Sequence, residues 1–268
     1  MPTSYAIVES RALVAVGGPD WRSFLQGLLT QDVESLAPGE LRFAALLTPQ
    51  GRLLYDLFVS GGEDGCRLEV EAQHRDALIQ RLTIYRLRAK VEIATDPAPV
   101  AVLFPGPLAP AAGWMADPRL PALGLRGYGQ DRPADAQAAD WAAYEAHRLA
   151  LGAPGPGDWG SERTFPIEAG FDLLGGIDFR KGCFVGQETT SRMKRRGQIK
   201  TRMVPIAFDG PAFPPGAEVL AGNLRAGEVL SGAEGRAIAL LRLDRAEGAE
   251  LTVDGRPVRA ERPAWMDG

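Results

Sequence analysis

The last third of the chain is divided into short apolar segments separated by turn residues, which limits the folds open to it. The segments cover residues 201–208, 217–220, 226–231, 236–243 and 250–259. Short β-like segments at such spacing, with glycine and proline between them, are typical of a small barrel or sandwich. We therefore predict a separate β-rich domain after Gly197.

The preceding residues mix strand and helix patterns. Apolar runs at 41–47 and 52–59 flank Thr48-Pro49-Gln50-Gly51, whose proline and glycine suit a type I turn, so a hairpin is expected there. Leu78, Leu82 and Tyr85 recur at helical spacing. A further helix is predicted from about 136 to 151, closed by a glycine. Together these patterns predict an α+β protein.

The composition sets limits on partners and location. The chain has 268 residues and a net charge of −4, with a pI near 5.4. A negative net charge does not attract the phosphate backbone of nucleic acid, so direct RNA binding is not expected. The sequence contains no run of eighteen apolar residues and no pattern of a targeting peptide. We expect no membrane contact and a cytoplasmic location, with an already trimmed organellar form as the alternative.

Cysteine and histidine are scarce. The chain has two cysteines, Cys66 and Cys183, and two histidines, His74 and His147. These are too few for a disulfide framework or for a structural zinc site. A protein-held iron–sulfur cluster needs about four thiolates. We therefore expect no stably bound metal, and any cluster would be shared, transient or held by a partner.

The stretch Arg180–Glu188, with the sequence RKGCFVGQE, contains the most unusual chemistry. Cys183 follows two cations, and further cations come after it, which favours the thiolate over the thiol. Gly182 and Gly186 allow close backbone approach around the sulfur. A lone cysteine is, however, more often a small buried apolar residue. The residues alone leave a reactive and a structural interpretation of Cys183 open.

The string KGCFVGQE resembles the signature of the YgfZ-type family. That family includes bacterial folate-binding proteins and mitochondrial iron–sulfur assembly factors. Other stretches resemble the family in the same order along nearly the whole chain. They are FLQGLLTQDV (Phe24–Val33), LLTPQGRLLYDLFV (Leu46–Val59), YRLRAKVEI (Tyr85–Ile93) and YEAHRLALGAP (Tyr144–Pro154).

The resemblance implies a fold as well. The family is similar to the aminomethyltransferase of the glycine cleavage system, which has three domains around a central channel that binds tetrahydrofolate. By this resemblance, residues 1–48 and 136–197 form a discontinuous folate-binding domain. Residues 49–135 form an inserted ferredoxin-like domain, and residues 201–268 form a small C-terminal β-barrel.

Roles of single residues also follow from the resemblance. Cys183 is expected beside the channel as the reactive, catalytic residue. Glu168, in the stretch PIEAGF, resembles a glutamate that binds the pterin ring. A carboxylate accepts two hydrogen bonds from such a ring, although an exposed loop glutamate is the alternative interpretation. The other residues expected at the folate are Lys181, Gln187, Glu188, Asp56 and Arg192.

Two of these expectations leave alternatives open. Aminomethyltransferases have two adjacent acidic residues where this chain has Tyr55-Asp56, which puts aminomethyl transfer in doubt. Asp56 lies either near the ligand or in a hydrogen bond inside the fold. The basic cluster from Arg192 to Lys200 has several interpretations. It binds the glutamate tail of folate, a phosphate-bearing partner or RNA, or it is only a solvated positive loop.

The function implied by the resemblance is that of a tetrahydrofolate-binding accessory protein for iron–sulfur cluster assembly or repair. It would support [4Fe–4S] enzymes, including those that modify tRNA, and its partners would be folate and iron–sulfur client or assembly proteins. Cys183 would contact iron transiently, form a mixed disulfide or react with a one-carbon adduct. The alternatives are a folate-dependent aminomethyltransferase or demethylase, and a plain folate-binding protein.

Overall fold

The computed structural model describes residues 2–111, 113–197 and 199–267, and within them the strands form two open sheets and one closed barrel. The strands are β1 (Ser4–Ile7), β2 (Arg11–Gly17), β3 (Leu41–Leu47), β4 (Leu53–Gly61), β5 (Gly65–Glu71), β6 (Glu92–Asp96), β7 (Val100–Phe104), β8 (Trp114–Ala116), β9 (Leu125–Tyr128), β10 (Gln137–Ala138), β11 (Thr201–Phe208), β12 (Glu218–Ala221), β13 (Leu224–Ala233), β14 (Arg236–Arg242), β15 (Leu251–Val253) and β16 (Arg256–Ala260). The helices are α1 (Trp21–Gln26), α2 (Arg75–Arg86), α3 (Trp141–Ala150), α4 (Pro156–Trp159), α5 (Gln187–Arg196) and α6 (Leu243–Ala246). The predicted α+β class is confirmed.

The first sheet is antiparallel and has the strand order β3-β4-β5-β2-β6. The predicted hairpin is present, because β3 pairs with β4 from Leu41 opposite Ser60 to Leu47 opposite Leu53. A domain boundary after residue 48 would fall in the turn of this hairpin, between two strands of one sheet. The domain limits therefore stay a prediction.

The second sheet has the order β10-β1-β7-β9-β8 and shares one hydrophobic core with the first. Phe43 and Phe58 from the first sheet lie in the same buried cluster as Val102 and Tyr128 from the second. The opposite face of the first sheet is covered by α1 and α2, and these form a second cluster. The inner strand β4 of the first sheet is thus buried on both faces.

Helix α3 begins later than the sequence predicted. Gln137 and Ala138 form β10 beside β1 instead of a first helical turn. Asp140 then caps the helix, because its carboxylate accepts the N–H of Ala143 at 2.8 Å. The expected start at residue 136 was therefore wrong. Across the described ranges, the helices are too short or too polar to cross a lipid bilayer.

The C-terminal strands close into a six-stranded barrel in the order β11-β14-β13-β12-β15-β16. Pairing of β11 with β16, for example Ile206 opposite Ala260, completes the ring. Val219, Val229 and Leu241 are fully buried with Ile206 in the barrel core. The β-rich domain predicted after Gly197 is confirmed, and it is a barrel and not a sandwich.

Candidate functional site

Lys181 holds the loop that carries Cys183 against the end of helix α1. Its ammonium group donates three hydrogen bonds to backbone carbonyl oxygens at and just after the helix end, namely those of Gln26 at 2.7 Å, Leu29 at 2.6 Å and Gln31 at 2.9 Å. Such carbonyls lack helical partners, and a cation there suits the helix dipole. Burial lowers the pKa of Lys181 to about 8, although the nearby carboxylate of Asp32 acts in the opposite direction. These contacts indicate a structural role, and the predicted folate contact of Lys181 stays a prediction.

The same loop is fixed at other points. The N–H of Val185 donates to the carbonyl oxygen of Gly27 at 3.3 Å, and that of Asp178 donates to Thr30 at 3.0 Å. The Thr30 hydroxyl in turn donates to the carbonyl oxygen of Gly176 at 2.6 Å. Between these points Cys183 is exposed and is not in a disulfide. The thiol is therefore presented to solvent on a segment that is held on both sides.

Gly186, at the start of α5, packs against the β3–β4 turn. It has a φ of +80°, and a Cβ built on it would lie 2.7 Å from the Thr48 oxygen and 2.9 Å from the Gly51 Cα. Any other residue would push the turn away. The glycine of the signature is therefore required for the contact between α5 and this turn.

Glu168 lies on a segment that contacts the same turn. Leu53, at the start of β4, donates its N–H to the carbonyl oxygen of Thr164 at 2.8 Å. The guanidinium of Arg52 lies 4.6 Å from the centre of the Phe165 ring. The Glu168 carboxylate accepts the Phe165 N–H at 3.0 Å. Burial raises its pKa, while the Phe165 N–H and Arg52 act in the opposite direction. Glu168 is thus a half-buried carboxylate that accepts one backbone hydrogen bond.

Asp56 is part of a buried ion network between the two sheets. Its carboxylate accepts a hydrogen bond from Arg11 at 2.7 Å, and Arg11 also donates to Glu69 at 2.8 Å. Arg126 donates to the same oxygen of Glu69 at 2.6 Å. Of the two roles open to Asp56, these contacts support a hydrogen-bonding residue inside the fold. Its predicted folate contact stays a prediction without support from this geometry.

The network continues around Asp117. Arg119 and Arg126 lie 2.8 Å and 3.1 Å from this carboxylate. Burial alone would raise the pKa of Asp117, but the two guanidinium groups hold it at about 2. Beside the network is a cavity of about 30 Å³ that Arg11 and Asp56 line. This volume accommodates about one water molecule and not a pterin ring.

The remaining predicted ligands lie on the first turns of α5. Gln187 and Glu188 line a shallow groove of about 510 Å³ together with Phe179. Arg192 approaches Glu188 at 3.6 Å, and both side chains are exposed, so this ion pair contributes little stability. Lys194 lies 3.7 Å from Asp172 and 5.4 Å from the centre of the Phe179 ring. The structure thus places Gln187 and Glu188 at one groove, and Glu188 beside Arg192 on the next turn of α5.

The second cysteine contrasts with Cys183. Cys66 is buried in the core beside α1 and α2, and burial raises its pKa to about 12. Among residues 2–111, 113–197 and 199–267, no group of three or more His, Cys, Asp or Glu side chains could hold a metal ion. Cys183 therefore offers one accessible sulfur ligand and no complete metal site.

Comparison with known proteins identifies relatives of the chain. Residues 200–268 match the family profile described as the CAF17 C-terminal beta-barrel domain. The crystal structure of the glycine cleavage system aminomethyltransferase T from Bartonella henselae aligns with a TM-score of 0.79 over 98% of this chain and 86% of that one. At 18% identity this likeness shows the fold, which confirms the aminomethyltransferase-like arrangement.

Other known proteins are similar to this chain in sequence. A protein of Mycosarcoma maydis named iron-sulfur cluster assembly factor IBA57 homolog, mitochondrial, is 33% identical over 80% of this chain, which spans 59% of that relative. The human protein named iron-sulfur cluster assembly factor IBA57, mitochondrial, is 32% identical over 82% of this chain and 74% of its own length. These names contradict the predicted cytoplasmic location, because both describe mitochondrial proteins. On this likeness, the chain belongs to the IBA57 family of iron–sulfur cluster assembly factors.

Proposed function

We propose that the chain acts in iron–sulfur cluster assembly by offering Cys183 as a single ligand to a cluster that another protein holds. The observation that carries the proposal is an exposed thiol on a loop fixed on both sides. Clusters need about four ligands, so the other ligands come from the partner. The thiol releases its proton to solvent and its sulfur binds iron, without any change in oxidation state.

Iron contact is the simplest of the three reactions considered for Cys183. A mixed disulfide needs an oxidant or a client that already contains a disulfide, and reaction with a one-carbon adduct needs a positioned acid. Iron contact needs only access to the sulfur and a fixed backbone. The proposed clients are [4Fe–4S] enzymes, including those that modify tRNA.

We also propose that tetrahydrofolate binds beside the β3–β4 turn, with Glu168 as the pterin ligand. The half-buried carboxylate has one backbone donor at 3.0 Å, and its chemistry fits the N–H groups of a pterin ring. The fit does not extend to Asp56, whose carboxylate is paired with Arg11.

A folate-dependent aminomethyltransferase or demethylase is disfavoured by the same geometry. Carbon transfer needs an acid positioned near the folate nitrogen. Asp56 is the residue expected there, and Arg11 lies 2.7 Å from it in a site with a cavity of about 30 Å³. A transferase role would require the ion network to open.

The proposal is tested in cells that lack this protein and express a variant from a plasmid. We expect Cys183→Ser to lose the activity of [4Fe–4S] enzymes such as aconitase. Cys66→Ser, which removes the buried thiol, is the matched control and is expected to retain it. Wild-type enzyme activity with Cys183→Ser at equal protein level would refute the role of this thiol.

A further inference from the structure

The end of α2 exposes two large apolar side chains. Leu87 is 89% exposed and Ile84 is 73% exposed, the highest values for large hydrophobic residues in the described ranges. Ile84 lies in the last turn of α2, and Leu87 is the residue directly after the helix. We call this surface the α2 patch, which comprises Ile84, Arg86, Leu87, Arg88 and Lys90, all of them exposed. Paired exposed apolar residues of this kind mark interaction sites.

The backbone at Leu87 is strained. Its φ is 46° and its ψ is −106°. Ala89 donates its N–H to the carbonyl oxygen of Arg86 at 2.8 Å, which closes a tight turn with Leu87 at the first central position. Glycine is favoured at a central turn position with positive φ, and leucine is disfavoured. Leu87 gains no burial that would offset this strain, so the strain points to a contact between Leu87 and another molecule.

The chain around these two residues is rich in cations. Residues 81–90 contain four cations and no Asp or Glu, although the whole chain has a net charge of −4. Asp20 approaches from α1, but its carboxylate accepts the backbone N–H of Lys90 and not a side chain. Glu92 follows on β6 and is exposed. The α2 patch is therefore complementary to an acidic surface with an apolar recess.

The patch lies close to the Cys183 loop. Helix α1 begins beside Asp20, which is bonded to Lys90, and ends at Gln26, which is bonded to Lys181. Six helical residues span about 9 Å. Val185, two residues after Cys183, packs in the same apolar cluster as Tyr85 and Ala89. Lys90, at the edge of the patch, therefore lies about one short helix from the loop that carries the thiol.

We propose that the α2 patch is the docking surface for an acidic iron–sulfur protein, which inserts Ile84 and Leu87 into an apolar recess while its carboxylates meet the arginines. The inference rests on the proposed function, because it places the cluster-holding partner near Cys183. A second copy of the chain would face the patch with like charges if it bound through the same surface. Two apolar side chains give only marginal attachment to a membrane.

The test uses a photoreactive amino acid at position 87 in the full-length protein expressed in its host cells, and at position 224 as a control. Leu224 is 62% exposed on the barrel. We expect position 87, and not position 224, to cross-link an acidic protein that mass spectrometry and iron analysis identify as an iron–sulfur protein. Cross-links only to a second copy, or no specific cross-link, would overturn the proposal. Flotation of the protein with phosphatidylglycerol vesicles at physiological salt would show that it binds a membrane, and would also overturn the proposal.

Substitutions then separate docking from folding. Ile84→Gln is expected to lower the cross-linking yield from position 87 at least about tenfold, as removal of a central apolar contact does. Ile84→Gln and Leu87→Gly are each expected to lower cellular [4Fe–4S] enzyme activity. Leu87→Gly relieves the positive φ, so its melting temperature is expected to rise. Leu224→Gln is the matched control and is expected to change neither readout.

The two proposals fail in different ways. If Cys183→Ser abolishes enzyme activity while Ile84→Gln and Leu87→Gly retain it, the docking surface is refuted and the role of the thiol stands. If Cys183→Ser has no effect, the proposed function is refuted. A lower melting temperature for Leu87→Gly would show that Leu87 serves the fold, and would also overturn the docking inference.

Discussion

The ammonium nitrogen of Lys181 lies 2.6 Å from the carbonyl oxygen of Leu29, which joins the cysteine loop to the end of the first helix. Two further carbonyl oxygens complete the coordination of this ammonium group. Lysine is suited to this task, because its three N–H donors match the three acceptors. The position of Cys183 therefore depends on a residue two places before it in the chain.

The two thiols are expected to differ sharply in reactivity. Cys66 is buried, and its pKa is raised to about 12, whereas Cys183 is exposed. A thiol reagent such as dithionitrobenzoate should modify one cysteine in the native protein at pH 8 and two in denaturant. Native Cys183→Ser should show no fast reaction. Fast modification of this variant would place the accessible sulfur at Cys66 and contradict the structure.

Removal of the Lys181 ammonium is expected to destabilise the protein. Lys181→Met leaves three carbonyl oxygens without their donor, which should lower the free energy of unfolding by about 2 kcal/mol. Urea denaturation measures this change. Lys200→Met, at an exposed lysine, is the matched control and should have little effect. Equal unfolding free energies for both variants would refute the role assigned to Lys181.

The same residue predicts a pH dependence. The pKa of Lys181 is about 8 in the folded chain and 10.5 for an ordinary lysine, so between these values the unfolded chain binds more protons. The contribution of Lys181 to stability therefore rises as the pH rises through this window. The difference in unfolding free energy between the wild type and Lys181→Met should grow from pH 8 to pH 10. A difference that shrinks would contradict the lowered pKa.

Asp56 is expected to matter for stability more than for folate binding. Asp56→Asn leaves the buried Arg11 without one of its two carboxylate partners, and a change of about 3 kcal/mol in the free energy of unfolding is expected. Thermal and urea denaturation measure it, with Asp244→Asn in an exposed ion pair as the control. Tetrahydrofolate affinity by calorimetry should stay within about twofold. A stable variant that has lost folate binding would reverse this assignment.

Glu168 is expected to matter for folate binding more than for stability. Its pKa is raised by burial, so the folded chain binds the proton more tightly, and its contribution to stability is lost as the pH rises through the folded-state pKa. Glu168→Gln should therefore fold at least as stably as the wild type at pH 7. Calorimetry should show at least a tenfold loss of tetrahydrofolate affinity. Unchanged affinity would remove Glu168 from the folate site, and no heat from the wild type would remove folate itself.

Features that depend on local pattern could be predicted from the sequence. The β3–β4 hairpin follows from a proline and a glycine at fixed turn positions, and the barrel follows from short apolar segments between turns. The start of α3 was missed, because Gln137 and Ala138 pair with β1, which lies at the other end of the chain. Pairing between distant segments leaves no local periodicity.

The site was predictable only in part, for the same reason. The string KGCFVGQE singled out Cys183, and the thiol is indeed exposed. Nothing local indicated that Lys181 contacts Leu29, 152 residues away in the sequence, or that Asp56 pairs with Arg11. The one signal for Leu87 was an apolar residue between two arginines, which looks like ordinary helix composition until its backbone conformation is known.

The most direct test of the account asks whether Cys183 binds iron. The purified protein is mixed with an iron–sulfur assembly protein that carries its cluster, and resonance Raman spectra are recorded for the mixtures with the wild type, Cys183→Ser and Cys66→Ser. We predict that the iron–sulfur stretching bands of the mixture shift for the wild type and Cys66→Ser but not for Cys183→Ser. An identical shift for Cys183→Ser would show that the cluster contacts the chain without this sulfur, and would contradict the central claim.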